Sequence, residues 1–224
     1  MKQIIMFCIS ALSLFASCSD EIEDTDNALT GNGQEQVTDM ESLTAVLAEG
    51  LYDNWNAGDR LMLAHDGKTV SVEILESGSR SGLSGTIEGT FTDSNPLYGI
   101  YPADNMVSFD NESVTVSVPS VQTAMNGGFD EKAAVSVARS VSDSLCFQSV
   151  CGGIKLNFQM SGVTKVELES VDAYALSGKA KLKWDEQGVP VIAEMSDTDY
   201  ILTFNAPDES GFLSGKDYFI STLP

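Results

Sequence analysis

The chain has 224 residues and is strongly acidic, with 33 Asp and Glu residues, 12 Lys and Arg residues and a net charge of −21 at pH 7. This excess of negative charge repels nucleic acid and anionic lipid head groups, so neither is an expected partner. The length is enough for one large or two small domains with a hydrophobic core, and no internal repeat of about 20–50 residues is evident.

The N-terminus has the pattern of a bacterial lipoprotein signal. Lys2 precedes an apolar run over residues 4–16. These 13 residues are fewer than the roughly 20 that a membrane span needs. The small residue Ser17 stands directly before Cys18, where a signal peptidase would cut and where acyl chains would be attached. We therefore predict a lipoprotein signal peptide at residues 1–17 and lipidation at Cys18. The alternative is an ordinary secretory signal in which Cys18 is incidental.

Residues 18–42 are predicted to form an acidic tether. Positions 19–42 carry eight acidic residues and no basic one, a composition that cannot bury enough apolar surface to fold. Removal of residues 1–17 takes away one lysine and no acid, which leaves 11 basic and 33 acidic residues and a net charge of −22. Non-specific attraction to lipid is therefore not the expected anchor. Two or more acyl chains on Cys18 would suffice, at about 0.8 kcal/mol per buried methylene.

From residue 43 the sequence changes to short runs in which apolar and polar residues alternate. Asp66-Gly67 lies between two such runs and is the strongest short-range hairpin signal. No window of 11 or more residues has the apolar spacing of a helix. Short strands at regular intervals, separated by turn residues, predict an all-β protein built as a β-sandwich. The predicted strands are 43–47, 61–65, 68–75, 86–91, 97–101, 113–118, 134–138, 144–147, 153–159, 163–169, 178–184, 200–204 and 217–221, with a loop at 121–132.

Two cysteines remain after the signal and Cys18 are set aside. Cys146 and Cys151 are five positions apart, so in one extended strand they would be about 16 Å from each other, too far to bond. Only a turn between them would allow a disulfide. Two small buried thiols are slightly favoured over a bridge, and no spacing typical of a zinc site is present.

Little in the sequence indicates catalysis. The chain has one histidine, His65, next to the Asp66-Gly67 turn, and we expect it to be a surface residue at a strand end. No nucleophile-elbow, zinc-protease or phosphate-binding motif is present. The acidic and Asn-rich segments 53–59 and 104–105 do not fit the EF-hand spacing, and turns explain them. We expect no enzymatic activity, no cofactor and no metal.

Five aromatic residues offer a possible carbohydrate-binding surface if they are exposed together. In a sandwich, alternating aromatic residues are more often part of the core, and that is the favoured interpretation. The five residues are Trp55, Tyr98, Tyr101, Trp184 and Tyr218.

Several segments, in order, resemble the first domain of the fimbrillin family, which are cell-surface lipoproteins of gut and oral anaerobic Gram-negative bacteria. Trp55-x-x-Gly58-Asp59 before an apolar strand resembles the opening motif of that family. The resemblance covers about residues 43–184. The further matching segments are 97–102, 114–119 with 121–123, 145–147 with 153–156, and 166–170 with 176–178.

The resemblance implies two transthyretin-like β-sandwich domains and export to the outer membrane as a surface-exposed lipoprotein. It also implies assembly into fimbriae, or anchoring of them, for adhesion. In polymerising members an arginine-specific protease removes the first strand, and the groove accepts a strand from the next subunit. The implied partners are therefore other fimbrial subunits, bound by strand exchange, with host or bacterial surface ligands as a further possibility.

The sequence departs from that family pattern in two places. No Lys or Arg lies between Cys18 and Asp59, so we expect the first strand to stay in place, as in an uncleaved anchor or tip-like member. Arg60, Arg80 and Arg139 come later. Residues 185–224 supply only two or three predicted strands, too few for a sandwich of their own. They are predicted to be either the start of a second β-sandwich domain or strands that close the first domain at 43–184.

The expected function is that of a cell-surface lipoprotein acting as a structural component or anchor of fimbriae, with adhesion or assembly by β-strand addition. The alternative is a surface glycan-binding lipoprotein for nutrient capture. Exposure of Trp55 and Trp184 discriminates between the two.

Overall fold

The computed structural model describes residues 43–48, 54–85 and 87–224. Apart from one turn of 3₁₀ helix at Ala103–Asn105, the regular structure of these residues is β. The strands are β1 Thr44–Leu47, β2 Arg60–His65, β3 Lys68–Glu73, β4 Arg80–Gly82, β5 Leu97–Tyr101, β6 Met106–Phe109, β7 Val114–Val118, β8 Val121–Thr123, β9 Ser136–Ser140, β10 Ser144–Ser149, β11 Gly152–Asn157, β12 Lys165–Glu169, β13 Ser177–Trp184, β14 Pro190–Asp199, β15 Ile201–Asn205 and β16 Asp217–Thr222. The prediction of an all-β protein is confirmed.

The strands form several sheets that pack face to face. The largest has the order β3-β2-β5-β9-β10-β1-β4, and a four-stranded sheet has the order β14-β13-β7-β6. A pair, β11-β16, and a three-stranded sheet, β12-β15-β8, complete the set. The chain passes from β7 to β8 through two residues, and from β10 to β11 through two residues. Each layer therefore continues from one sheet into the next, as in a β-sandwich.

Alternation along the strands divides the core into three apolar clusters. In β2, Leu61 and Leu63 belong to the first cluster, whereas Ala64 belongs to the second. The seven-stranded sheet therefore buries apolar residues on both faces, because successive side chains of a strand point to opposite sides. The second cluster joins this sheet to β7 and β13, and the third lies among β11, β12, β15 and β16.

The predicted hairpin is confirmed. β2 and β3 pair in antiparallel register, with Leu61 opposite Val72 and His65 opposite Lys68. Asp66 and Gly67 both have positive φ, at 47° and 72°, as a type I′ turn requires at its two central residues.

One predicted strand and one predicted loop are wrong. The described residues of 86–91 form no strand, although Ile87 is buried in the first cluster. Gly89 has a φ of 144°, a conformation that interrupts a strand. Within the predicted loop 121–132, β8 pairs in parallel with β15. The sequence analysis also did not predict β4, β6 and β14.

Strands of residues 185–224 pair with strands that come before residue 185. β14 is antiparallel to β13, β15 lies between β12 and β8, and β16 pairs with β11 along six residues. These strands complete sheets that the earlier part of the chain begins.

Two buried amides connect separate parts of the sandwich. The Gln122 side chain is fully buried, donates to the carbonyl of Ser221 at 2.6 Å, and accepts from the Ser221 N–H at 3.0 Å. Asn105 donates to the carbonyls of Ser117 and Lys132 at 2.6 and 2.7 Å. The Gln122 amide thus pairs with the backbone N–H and carbonyl of Ser221 in β16, as a neighbouring strand would, and satisfies both buried groups.

Gln122→Ala is expected to destabilise the protein by about 2 kcal/mol or more, because each buried polar group left without a partner costs about 1–3 kcal/mol. Urea unfolding followed by circular dichroism measures the change. Gln187→Ala, in an exposed turn, is the matched control and should leave the midpoint unchanged. Equal midpoints for the two variants would show that the Gln122 bridge does not hold β16.

Candidate strand-exchange site

The first strand lies inside a sheet and not at its margin. β1 pairs in parallel with β10, so that Thr44 is opposite Ser144 and Leu47 is opposite Phe147. On its other side it is antiparallel to β4, with Val46 opposite Arg80. β4 has three residues and pairs only with β1 among the described strands. Removal of β1 would therefore take away the only strand partner of β4 among the described strands, and leave it attached through the Leu75 N–H to Gly82 carbonyl bond at 3.1 Å.

Backbone hydrogen bonds hold β1 from both sides. Toward β10, the Thr44 N–H donates to the carbonyl of Asp143 at 2.8 Å, and Ala48 donates to Phe147 at 2.9 Å. Toward β4, Leu47 donates to Ser79 at 2.9 Å. An extended segment from another chain could make these same main-chain bonds, since they depend little on sequence.

The side chains of Leu43 and Ala45 are buried beside β1's partner strands. Their exposed fractions are 1% and 0%, and both belong to the first apolar cluster. At the centre of that cluster, the Trp55 ring meets Tyr101 edge-on at 5.1 Å and Phe147 edge-on at 5.2 Å. Without β1, an apolar groove would open beside these rings.

Gly99 shows that the cluster is tightly packed, and Tyr101 shows the effect of burial in it. A Cβ on Gly99 would lie 2.5 Å from Cζ of Phe147, so β5 needs a glycine where it passes this ring. Burial raises the pKa of the Tyr101 phenol, and the carboxylate of Asp59 raises it further. The phenol therefore stays neutral at physiological pH.

The first arginine after the signal lies in a regular strand. Arg60 begins β2, is exposed, and donates from its guanidinium to the Ser71 hydroxyl at 3.0 Å. A cut at Arg60 would separate Trp55 from the rest of the chain, although Trp55 is 1% exposed and forms the centre of the first cluster. Arg80 lies in β4, directly opposite β1.

The predicted lipidation site, Cys18, lies outside the described residues, as do the predicted signal at 1–17 and tether at 18–42. The structure places none of them. Of the described residues, no helix has the length and apolar character needed to cross a membrane.

The prediction for His65 is wrong. Its exposed fraction is 1%, its Nδ1 lies 3.2 Å from the carbonyl oxygen of Pro96, and its ring packs edge-on against Phe91 at 4.8 Å. Gly89 lies against the ring edge, where any side chain would collide with it. His65 is therefore a core residue beneath the loop that follows β4, and not a residue of the hairpin surface.

The five aromatic residues do not form a shared surface. Four of them are buried, and only Trp184 is partly exposed. This confirms the core interpretation for Trp55, Tyr98, Tyr101 and Tyr218.

The acidic turns are explained by local hydrogen bonds. The Asp59 carboxylate accepts from the Asn56 N–H at 2.8 Å, and the Asp59 N–H returns a bond to the Asn56 carbonyl at 3.0 Å. The Asn105 side chain is occupied by its hydrogen bonds to the carbonyls of Ser117 and Lys132. Among residues 43–48, 54–85 and 87–224, no three His, Cys, Asp or Glu side chains are placed to share a metal ion.

The two late cysteines do not bridge each other. Cys151 is a free thiol whose pKa is raised by burial. The expectation that Cys146 and Cys151 are not bridged to each other is therefore confirmed.

No known protein-family profile matches the chain, and no curated protein matches it.

Gly99→Ala should destabilise the protein by about 1–3 kcal/mol, because the added methyl overpacks the cluster against Phe147. The double variant Gly99→Ala/Phe147→Leu should recover part of the loss, since the smaller side chain leaves room. Gly128→Ala is the control, because a Cβ at Gly128 meets nothing within 4 Å. Thermal unfolding measures these three variants and Phe147→Leu alone, and a loss in the double variant equal to the sum of the two single losses would contradict the contact.

Proposed function

We propose that this protein is a fimbrillin-like lipoprotein with a transthyretin-like sandwich, anchored in the outer membrane by lipid on Cys18 and exposed at the cell surface. Its role is structural: it anchors or joins a fimbrium and contacts other subunits by β-strand addition. The observation that carries this proposal is the position of β1, a short N-terminal strand that fills an apolar groove between β10 and β4.

A groove of this kind suits exchange of strands. Main-chain bonds on two sides supply affinity, and the buried positions of Leu43 and Ala45 select the side chains that fit. The long edge strand β14 is less suited. It carries Glu194, Asp197 and Asp199, and its register with β13 is interrupted twice, which are features that oppose pairing at an edge.

The absence of basic residues between Cys18 and Asp59 favours an anchor over a polymerising stalk subunit. The first arginine after Cys18 is Arg60, in the paired strand β2, and a cut there would remove the buried Trp55 from the core together with β1. The lipid on Cys18 and the strand that fills the groove then stay in one chain, and the acidic segment between them separates the sandwich from the membrane.

The burial of four aromatic residues removes the surface on which the nutrient-capture alternative was first based. A structural role agrees with the remaining features of the chain, and we propose no catalytic activity for it.

Mass spectrometry of the mature N-terminus tests the anchor. We expect a chain that begins at Cys18 and carries acyl groups on the thiol and the new amine. The variant Cys18→Ala should appear in the soluble fraction or keep its signal. A mature chain that begins after residue 47, or that holds the Cys18 thiol in a disulfide, would contradict the proposal.

Strand exchange is tested by opening the groove on purpose. A sequence for a site-specific protease is inserted between Glu49 and Gly50, and the folded protein is cut there. The cut form should bind a synthetic peptide of residues 41–48 after the freed segment is washed out, because the groove of β1 is then vacant.

A peptide with arginine at position 45 is the matched control, because that position is fully buried and an unpaired charge there is costly. Equal binding of both peptides, or none of either, would contradict a selective groove. Peptides from candidate partner subunits can then be compared in the same assay.

A further inference from the structure

Two segments at one end of the three-stranded sheet expose large apolar side chains. The first is the turn at residues 170–176, between β12 and β13, where Val171 is 95% exposed and Tyr174 is 72% exposed. The second is the bend between β14 and β15, where the side chains of Tyr200 and Ile201 are about half exposed. Single exposed apolar residues are ordinary, whereas a group of them rimmed by polar residues is typical of a protein–protein interface.

The turn is hydrogen-bonded to the bend at both of its ends. The Ser170 N–H donates to the carbonyl of Tyr200, and the Leu176 N–H donates to the carbonyl of Asp199, both at 2.9 Å. The two segments are therefore neighbours in the folded chain although they are distant in sequence. We call the exposed side chains of Val171, Tyr174, Tyr200 and Ile201 the 171/200 surface.

Local interactions hold the turn in one conformation. The hydroxyl of Ser170 accepts a hydrogen bond from the Tyr174 N–H at 3.0 Å. Ala173 has a φ of 57°, in the left-handed region that favours glycine. Strained backbone of this kind persists only where its surroundings hold it, and it is common at recognition sites. A turn that is already ordered presents Val171 and Tyr174 without a further loss of conformational entropy on binding.

Three exposed carboxylates border the 171/200 surface, namely those of Glu169, Asp172 and Asp199. None of the three takes part in an ion pair with another residue of the part of the chain that the structure describes. Lys179, in the adjoining strand β13, is already paired with Asp197 at 2.6 Å. The surface therefore combines apolar area with negative charge that the described chain leaves unpaired.

We propose that the 171/200 surface docks a segment of another protein in which Lys or Arg side chains flank apolar ones. Val171 and Tyr174 supply the apolar contact, and a tyrosine ring gives a large contact area at low entropic cost. The three carboxylates favour cationic residues of the partner and steer their approach. A second copy of this chain is disfavoured, because its net charge of −21 would bring like charges together. This surface lies on other strands than the β1 groove and does not depend on strand exchange.

An NMR titration of the mature full-length protein with defined peptides tests the proposal. The probe is the peptide Lys-Leu-Lys-Leu-Lys-Leu-Lys. Its control is Lys-Ser-Lys-Ser-Lys-Ser-Lys, which has the same charge and no apolar side chain. At physiological ionic strength the probe should shift the amide signals of residues 169–174 and 199–201. It should also bind at least about tenfold more tightly than the control, because only the probe buries apolar surface.

Variants then locate the binding. Val171→Ser and Tyr174→Ser change exposed side chains, and each should weaken binding of the probe at least about fivefold. Asp172→Asn should weaken binding of both peptides by about twofold, and more at low ionic strength. Val141→Ser is the matched control, since Val141 is an exposed apolar residue in the turn between β9 and β10. It should bind the probe as the unchanged protein does, and circular dichroism verifies that all four variants are folded.

Three results would overturn the proposal. The first is that neither peptide binds, or that both bind equally, which would reduce the effect to the attraction of any cation to an acidic protein. The second is that the shifts lie outside residues 169–174 and 199–201, or that Val171→Ser and Tyr174→Ser leave binding unchanged. The third is self-association of the protein in sedimentation that these two variants abolish, which would make a second copy the partner.

Discussion

The packing of β1 against the aromatic cluster is the constraint on which the N-terminal half depends. Leu43 and Ala45 contribute no exposed surface, and the rings of Trp55, Tyr101 and Phe147 pack edge-on in the same cluster. Apolar burial contributes about 25 cal/mol per Å², so loss of β1 would be costly: it would expose this cluster and remove the strand partner of β4. The groove between β10 and β4 is therefore stable only when a strand fills it. In the uncleaved chain, β1 is that strand.

The C-terminal strands are held by a different set of interactions. β14, β15 and β16 complete sheets that begin earlier in the chain, and the Gln122 amide binds both backbone groups of Ser221 across the interior. The third apolar cluster fills the space between β11-β16 and β12-β15-β8, and in it the ring of Phe212 contacts the rings of Phe158, Phe204 and Tyr218. Both ends of the described chain are thus held by pairing with segments that are distant in sequence.

Much of the fold could be predicted from the sequence, because alternation and turn chemistry act locally. Asp66-Gly67 specified both the turn and the register of β2 with β3. The missed strands have no such local signal: β4 and β8 have three residues each, and β14 is mostly exposed, so pairing alone defines them. His65 was misplaced because its burial comes from the 87–96 loop, which folds back over it.

Native-state hydrogen exchange of the mature full-length protein, read by NMR at single residues, tests the central claim most directly. If β1 is an integral strand, the N–H groups of Thr44, Leu47 and Ala48 should exchange only through the opening that also exposes the β10 amides. Their opening free energies should then match those of β10, close to the global value. Exchange of these three groups at the rate of a frayed terminus, with β10 still protected, would contradict the account.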